Sequence, residues 1–184
     1  MANEMQPTKV ITNKVRFSYL HVWEPAAVEG SDKPKYSVSL IIPKSDTKTH
    51  AAILKAIEAA KVAGKDTKFG GKIPAGLKTP LRDGDIDRED EAYANAWFIN
   101  ANCTTKPGLV DRDCNAILDQ DELYSGCYGR ASITFYPFNT NGNRGIACGL
   151  NHLQKLSDGE PLGGRSTAES DFAQPVEDDD DDIL

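Results

Sequence analysis

The sequence predicts a mainly β protein: a small barrel of about five strands, with one α-helix inserted between the early and late strands, long loops and an acidic tail. Three observations carry this. Residues 126–136 alternate with a period of two, so Cys127, Gly129, Ala131, Ile133 and Phe135 share one side, and Tyr128, Arg130, Ser132, Thr134 and Tyr136 share the other. The first set runs from small to bulky, as the wall of a tapering barrel requires. Strand-like segments recur in pairs separated by turn residues, and residues 139–143 (Asn-Thr-Asn-Gly-Asn) hold an Asn-Gly step, a strong hairpin signal. One stretch alone has clear helical spacing. A barrel of the oligonucleotide-binding (OB) type fits this pattern; a flat antiparallel sheet under a covering helix satisfies it as well.

Residues 1–8 read as a loose arm. Residues 9–23 read as one long, bent strand, with Val15, Phe17, Tyr19, His21 and Trp23 opposite Arg16, Ser18, Leu20 and Val22. Gly30, Ser31, Asp32 and Pro34 are turn chemistry, and the alternating run 36–42 returns as the second arm of a hairpin, ended by Pro43. Ser45 or Asp46 caps a helix through about Ala63, with Ile53, Leu54, Ile57 and Ala60 as its buried stripe and Gly64 as its stop. Residues 65–92 are long and turn-rich, basic first (Lys65, Lys68, Lys72, Lys78, Arg82) and acidic second (Asp83, Asp85, Asp87, Glu89, Asp90, Glu91). Residues 93–101 return to strand, with Tyr93, Asn95, Trp97 and Ile99 opposite Ala94, Ala96, Phe98 and Asn100. Leu109-Val110 is a short segment before a polar loop, and residues 144–156 are the return strand after the Asn-Gly turn. The expected division is an arm (1–8), a barrel domain (9–156), and a flexible linker with the acidic tail (157–184).

Charge is divided unevenly. The net charge of −7 combines a tail, residues 158–184, with ten acids and one arginine, and a body with 20 bases and 18 acids. A mildly basic body therefore carries a strongly acidic end. With 39% hydrophobic and 27% charged residues, no apolar run of about 18 and no signal-like N-terminus, the chain is expected to be soluble, cytoplasmic and off the membrane. Cys103, Cys114, Cys127 and Cys148 are widely spaced and form no C-x-x-C pair, which argues for reduced thiols, mostly small core residues, rather than a zinc site.

Single strands are held by aromatic platforms plus a positive groove. The candidates for that chemistry are Tyr128, Arg130, Tyr136, Trp97, Tyr19 and Trp23, with Arg16, Lys33, Lys35, Lys72 and Lys106 as cations. The plainer alternative for each ring is core packing. The terminal Glu177, Asp178, Asp179, Asp180, Asp181, Asp182, Ile183 and Leu184 have too little apolar surface to fold alone. Six carboxylates in a row imitate a phosphate run, so the tail is expected to compete for the body's basic groove and to offer partner proteins a short apolar plug. Asp111, Asp113, Asn115 and Glu122 approach the pattern of a calcium loop, but Ala116 stands where the turn needs glycine, so a polar connection is expected there and no metal. The acidic run from Asp83 to Glu91 is a weak candidate for the metal site of a nuclease. Only three histidines are present, with no H-E-x-x-H, G-x-S-x-G or Gly-Lys-Ser/Thr loop, so no enzyme activity and no cofactor is expected.

Residues 35–44 (Lys-Tyr-Ser-Val-Ser-Leu-Ile-Ile-Pro-Lys), 98–102 (Phe-Ile-Asn-Ala-Asn), 124–131 (Tyr-Ser-Gly-Cys-Tyr-Gly-Arg-Ala), 145–151 (Gly-Ile-Ala-Cys-Gly-Leu-Asn) and 159–164 (Gly-Glu-Pro-Leu-Gly-Gly) resemble a family of bacteriophage and prophage single-stranded-DNA-binding proteins. The similarity spans roughly residues 9–165. It implies an OB-fold that coats single-stranded DNA in phage replication or recombination without sequence preference. The acidic terminus is similar to those of replicative single-strand binders, which implies recruitment of replication or recombination proteins and restraint of DNA binding. A phage structural or adaptor protein without a DNA role is the remaining alternative, and a homo-oligomer is compatible with either.

Overall fold

The structure, a computed structural model, describes residues 6–27, 33–162, 172, 173 and 176. The acidic tail candidates Glu177 through Leu184 lie outside the described residues, as do Gly30, Ser31 and Asp32 of the first expected turn. Among the described residues eight strands form: β1 (Lys9–Ile11), β2 (Val15–Ala26), β3 (Lys35–Pro43), β4 (Leu81–Asp83), β5 (Ala96–Cys103), β6 (Gly108–Val110), β7 (Tyr128–Thr140) and β8 (Asn143–Ser157). The helices are α1 (Thr47–Gly64) and the one-turn α2 (Gly84–Asp87), followed by a 3-10 turn at Glu91–Tyr93.

Five strands close on themselves. β2 pairs with β3, β3 with β5, and β7 with β8, all antiparallel; β5 meets β8 in parallel at Asn102 and Gly149, and β7 returns to β2 at Val15↔Gly129 and Arg16↔Tyr128. This ring is a barrel, not the flat sheet that the pattern also allowed. β1, β4 and β6 are short additions to it. The period of two on β7 holds throughout: Gly129, Ala131, Ile133 and Phe135 point into the core with Cys127, and the alternate residues face outward. The Asn-Gly step makes the β7–β8 turn, with φ of 52° at Asn141 and 86° at Gly142, the two positive values that a two-residue hairpin of primed type needs.

Several expectations need correction. The strand expected over 9–23 is two strands, because Thr12 turns in to bond β7: its N–H donates to Ala131 O (3.0 Å) and its hydroxyl accepts from Ala131 N (3.0 Å). The faces expected on β2 fail after Phe17. Between the pairs Ser18↔Ser39 and His21↔Ser37, β2 uses three steps against two on β3, so one extra residue forms a bulge. Tyr19, at φ 47°, and His21 are therefore exposed, while Val22 is buried.

On α1, Thr49, Ile53, Ala56, Ile57 and Ala60 are buried against the barrel core, and Leu54 is exposed because it sits a full 100° around from Ile53. Gly64 does close α1, but not through a left-handed cap: an added Cβ would meet Pro137 Cβ at 2.5 Å and Phe69 Cε2 at 2.8 Å. Tyr93 and Asn95 precede β5 instead of belonging to it.

Asp46 caps α1, accepting from the Thr49 N–H (3.1 Å) and the Asn13 amide (3.3 Å). Burial pushes its carboxyl up, but the Thr49 and Asn13 hydrogen bonds outweigh this and hold it below its usual value. Replacing Asp46 by Ala should cost about 1 kcal/mol in urea unfolding at neutral pH. Because the folded value is depressed, the contribution is present above the unfolded value of about 3.9 and is lost as pH falls through the folded one, so parent and variant should converge in acid.

All four cysteines are free; Cys127 and Cys148 are buried, Cys103 is half-buried and Cys114 is exposed. Burial pushes the thiols of Cys103, Cys127 and Cys148 up. A thiol reagent should label Cys114 first in the native protein, and Cys127 and Cys148 only on unfolding.

Candidate nucleic-acid interface

The β2–β7 closure brings Arg16 and Tyr128 side by side, since they are register partners. The Arg16 guanidinium lies 5.3 Å from the Tyr128 ring centre and the Lys14 ammonium 5.1 Å from it. Both border a cleft of about 420 Å³ whose other wall is Ala92, Ala94, Asn95 and Ala96. Further along β2, Tyr19 stands 53% exposed at its bulge. It lines a second cleft of about 230 Å³ with His21, Asp90, Ser125 and Leu162. Both clefts thus run between β2 and the segment that precedes β5.

That segment covers the outer face of β3 and β5. Ile41, Tyr93, Ala96 and Phe98 form a second small core there, with Ala92 and Leu162 packed on it. The Tyr93 hydroxyl donates to Ser39 Oγ (3.0 Å), and the Tyr93 and Phe98 rings meet edge to face at 5.1 Å. The acidic half of the long loop is therefore ordered. Asp83 and Asp85 both pair with Lys44 at 2.8 Å, and Asp90 caps the 3-10 turn through the Ala92 N–H. The Lys44 hydrogen bond and the Asn95 N–H hold the Asp85 carboxyl below its usual value.

Arg16 has a second duty. Its Nε donates to Gly126 O (3.0 Å) and its Nη2 to Glu160 O (2.6 Å). These bonds help fix residues 158–162, which the sequence reading assigned to a linker. The Tyr124 hydroxyl donates to Gly159 O (2.9 Å), the Leu162 N–H donates to Ser125 O (2.9 Å), and Lys155 pairs with Asp158 at 2.6 Å. Gly126, at φ 118°, is needed here twice over, because an added Cβ would collide with the Glu160 carbonyl. The last described residues of this stretch therefore lie at the edge of the Tyr19 cleft.

The other sequence candidates divide by position. Arg130 and Tyr136 lie on the same outward face of β7 as Tyr128; the Arg130 Nε donates to Thr12 O (3.1 Å), and Tyr136 is 41% exposed, with its phenol pushed up by burial. Trp23 and Lys106 meet at the far end of β2, the ammonium 5.1 Å from the ring centre and the indole N–H donating to Leu123 O (3.1 Å). Lys35 begins β3 opposite Ala26, and Lys33 precedes it.

Trp97 is not an open platform. It shares the inward phase of Ile99 and Ala101, His50 stacks on it at 4.6 Å and 2°, and Lys44 sits 4.8 Å from its ring centre. Lys72 lies in the loop that bonds to the β7–β8 hairpin end through Lys68 and Lys78, away from Tyr128 at the other end of β7.

Arg88 was not singled out from sequence, because it stands in a run of acids; only the folded chain sets its guanidinium among the rings of Tyr19, Tyr93 and Phe98. Lys14, too, gains its place beside a ring only in the folded chain. Among the described residues no three His, Cys, Asp or Glu side chains converge on a metal position. The Asp111 carboxylate accepts from the N–H groups of Asp113 (2.9 Å) and Asn115 (3.0 Å) within its own turn.

Residues 8–184 match the family described as "Enterobacter phage Enc34, ssDNA-binding protein". Protein p50 of Acyrthosiphon pisum secondary endosymbiont phage 1 is 31% identical over 166 residues, covering 87% of this chain and 89% of p50. The single-stranded-DNA-binding protein of bacteriophage Enc34, solved in complex with ssDNA, superimposes with a TM-score of 0.73 at 27% identity, over 86% of this chain and 91% of that one. The bacteriophage T7 protein gp2.5 shares the fold, with a TM-score of 0.61 at 16% identity, over 93% of this chain and 96% of its own.

Replacing Arg16 by Gln should lower stability by about 2 kcal/mol, since two carbonyls lose a charged donor. It should also speed proteolysis within residues 158–162, read by mass spectrometry.

Proposed function

The chain belongs to the family of the Enterobacter phage Enc34 ssDNA-binding protein, and on that premise we propose that it binds single-stranded DNA without sequence preference in phage replication or recombination. The observation that carries this reading is the Tyr128 ring with Lys14 and Arg16 against it at the mouth of an open cleft. The Enc34 protein, 27% identical, is described in complex with ssDNA. Rings supply stacking that every base can use, and cations neutralise phosphates. The path proposed for the strand follows β2, with Tyr128, Arg16 and Tyr19 in the middle. Arg130 and Tyr136 extend it along β7, and Trp23, Lys33, Lys35 and Lys106 extend it at the other end of β2. The protein acts as a binder, not a nuclease, in the cytoplasm of the host. No helix among the described residues is long and apolar enough to cross a membrane.

The acidic tail, Glu177 to Leu184, is proposed to restrain DNA binding and to recruit replication or recombination proteins. What supports this is the point of departure: Leu162 lines the same cleft as Tyr19. The fifteen residues from there to Glu177 can span up to about 50 Å, enough to return to the cations of β2.

Fluorescence anisotropy with labelled oligo-dT tests the proposal. Binding should be tight at low salt and weaken steeply as salt rises, with a logarithmic slope of about −0.7 per phosphate contact. Replacing Tyr128 by Ala should weaken binding by about 1–3 kcal/mol, and deleting residues 177–184 should tighten it. Absence of binding at low salt would refute the function; unchanged affinity after the deletion would refute restraint by the tail. Oligo-dT should stay intact with magnesium or manganese present, and cleavage would overturn the non-catalytic reading.

A further inference from the structure

We infer that Arg88 and Tyr19 together form a nucleotide-binding step separate from the Tyr128 cleft, in which Arg88 takes a backbone phosphate and Tyr19 takes a base. The inference rests on the single-strand reading above and adds to it a contact residue drawn from the most acidic stretch of the body.

The guanidinium carbon of Arg88 lies 5.3 Å from the ring centre of Tyr19, 5.1 Å from that of Tyr93 and 5.2 Å from that of Phe98. Two of these rings are immobilised. Tyr93 and Phe98 are buried, packed edge to face, and Tyr93 is tied to Ser39. The third, Tyr19, is 53% exposed, on a backbone held at φ 47° by the β2 bulge. A non-glycine residue in that region is uncommon and is kept where the surroundings enforce it. Here the result is a phenol ring aimed away from the strand's ordinary inward phase and out over the second cleft.

The chemistry of Arg88 points to an anion. A guanidinium offers five N–H donors and no acceptor. Asp87, Glu89, Asp90 and Glu91 flank Arg88 in sequence, yet Arg88 makes no hydrogen bond or ion pair to any described residue; the three rings are its contacts. Asp90 caps the 3-10 turn instead, and all four acidic residues are exposed. Contact with three rings holds the guanidinium in place without using its N–H donors, and a planar fork matches two phosphate oxygens. Tyr19 stands three residues beyond Arg16, roughly 10 Å along β2. The two clefts therefore receive different nucleotides of one strand.

The full chain and an oligo-dT of about 16 nucleotides test this. Replacing Arg88 by Gln should weaken binding at least about fivefold and reduce the salt slope by about 0.7, the share of one phosphate. Replacing Arg88 by Lys should keep the slope and lose affinity, since the charge stays and the fork goes. Replacing Tyr19 by Asn, which tolerates the positive φ, should weaken binding with the slope unchanged. An oligonucleotide carrying 5-iodo-deoxyuridine should photo-crosslink to Tyr19 in the unmodified protein, a readout that needs no variant to fold. Parent-like affinity and slope for Arg88→Gln together with parent-like affinity for Tyr19→Asn, or crosslinks confined to Tyr128 and other residues, would overturn the second step while leaving the single-strand reading intact. A parent protein that does not bind oligo-dT would remove both.

Discussion

Closure of the sheet between β2 and β7 is the constraint on which the rest of the molecule depends. The paired register is short, but residues 123–127 prolong it along β2. The Phe17 N–H donates to Cys127 O and the Gly126 N–H to Phe17 O, Leu20 bonds the Ser125 hydroxyl, and Trp23 bonds Leu123 O. Gly129 sits in this seam because a Cβ there would strike Gln154 O and the Phe17 ring. The seam covers the edge of β2 from Val15 to Leu20, and a free edge is the usual hazard of a β-sheet. It also sets two outward residues from distant parts of the chain, Arg16 and Tyr128, against each other. The seam that closes the core thereby builds the proposed binding cleft.

The outer face of β3 and β5 shows how a barrel can carry more than one core. Ile41 and Phe98 point away from the barrel interior and would be an exposed apolar patch if nothing covered them. Tyr93 and Ala96 cover them, with Leu162 arriving from beyond β8. The acids of the segment that carries Tyr93 have local roles: Lys44 takes Asp83 and Asp85, and backbone N–H groups take Asp83 and Asp90. The consequence is a groove with unlike walls. One is β2 with Lys14, Arg16 and Tyr19; the other is the acid-bearing segment with Arg88 turned inward among the rings. Under the proposed function, opposed walls of this kind would give a strand a defined side on which to lay its phosphates.

Much of this was legible in one dimension. The alternation on β7, the Asn-Gly turn, the α1 cap region and the β2–β3 hairpin all follow from local rules, because each is decided by neighbours a few residues away. The basic body and acidic end could be counted directly. What local rules missed has a common cause. Tyr19 was assigned to the wrong face because a single extra residue on β2 shifts the phase, and a bulge leaves no mark in a period-two reading. Trp97 looked like a free platform because the sequence does not reveal that His50 stacks on it. Residues 158–162 looked like a linker because their partners, Arg16, Tyr124 and Ser125, lie far away along the chain.

By itself, then, the sequence determined the five main strands and the helix α1, the inward wall of β7, the residue types suited to holding single strands, and the unequal distribution of charge. These depend on side-chain chemistry and on spacings of two to four residues. The tertiary structure alone decided that the sheet closes, which rings stay open, that Arg88 stands among three of them, and where the segment leading to the acidic tail departs. Those properties arise mostly from contacts between residues tens to more than a hundred positions apart, and no local period encodes such pairs.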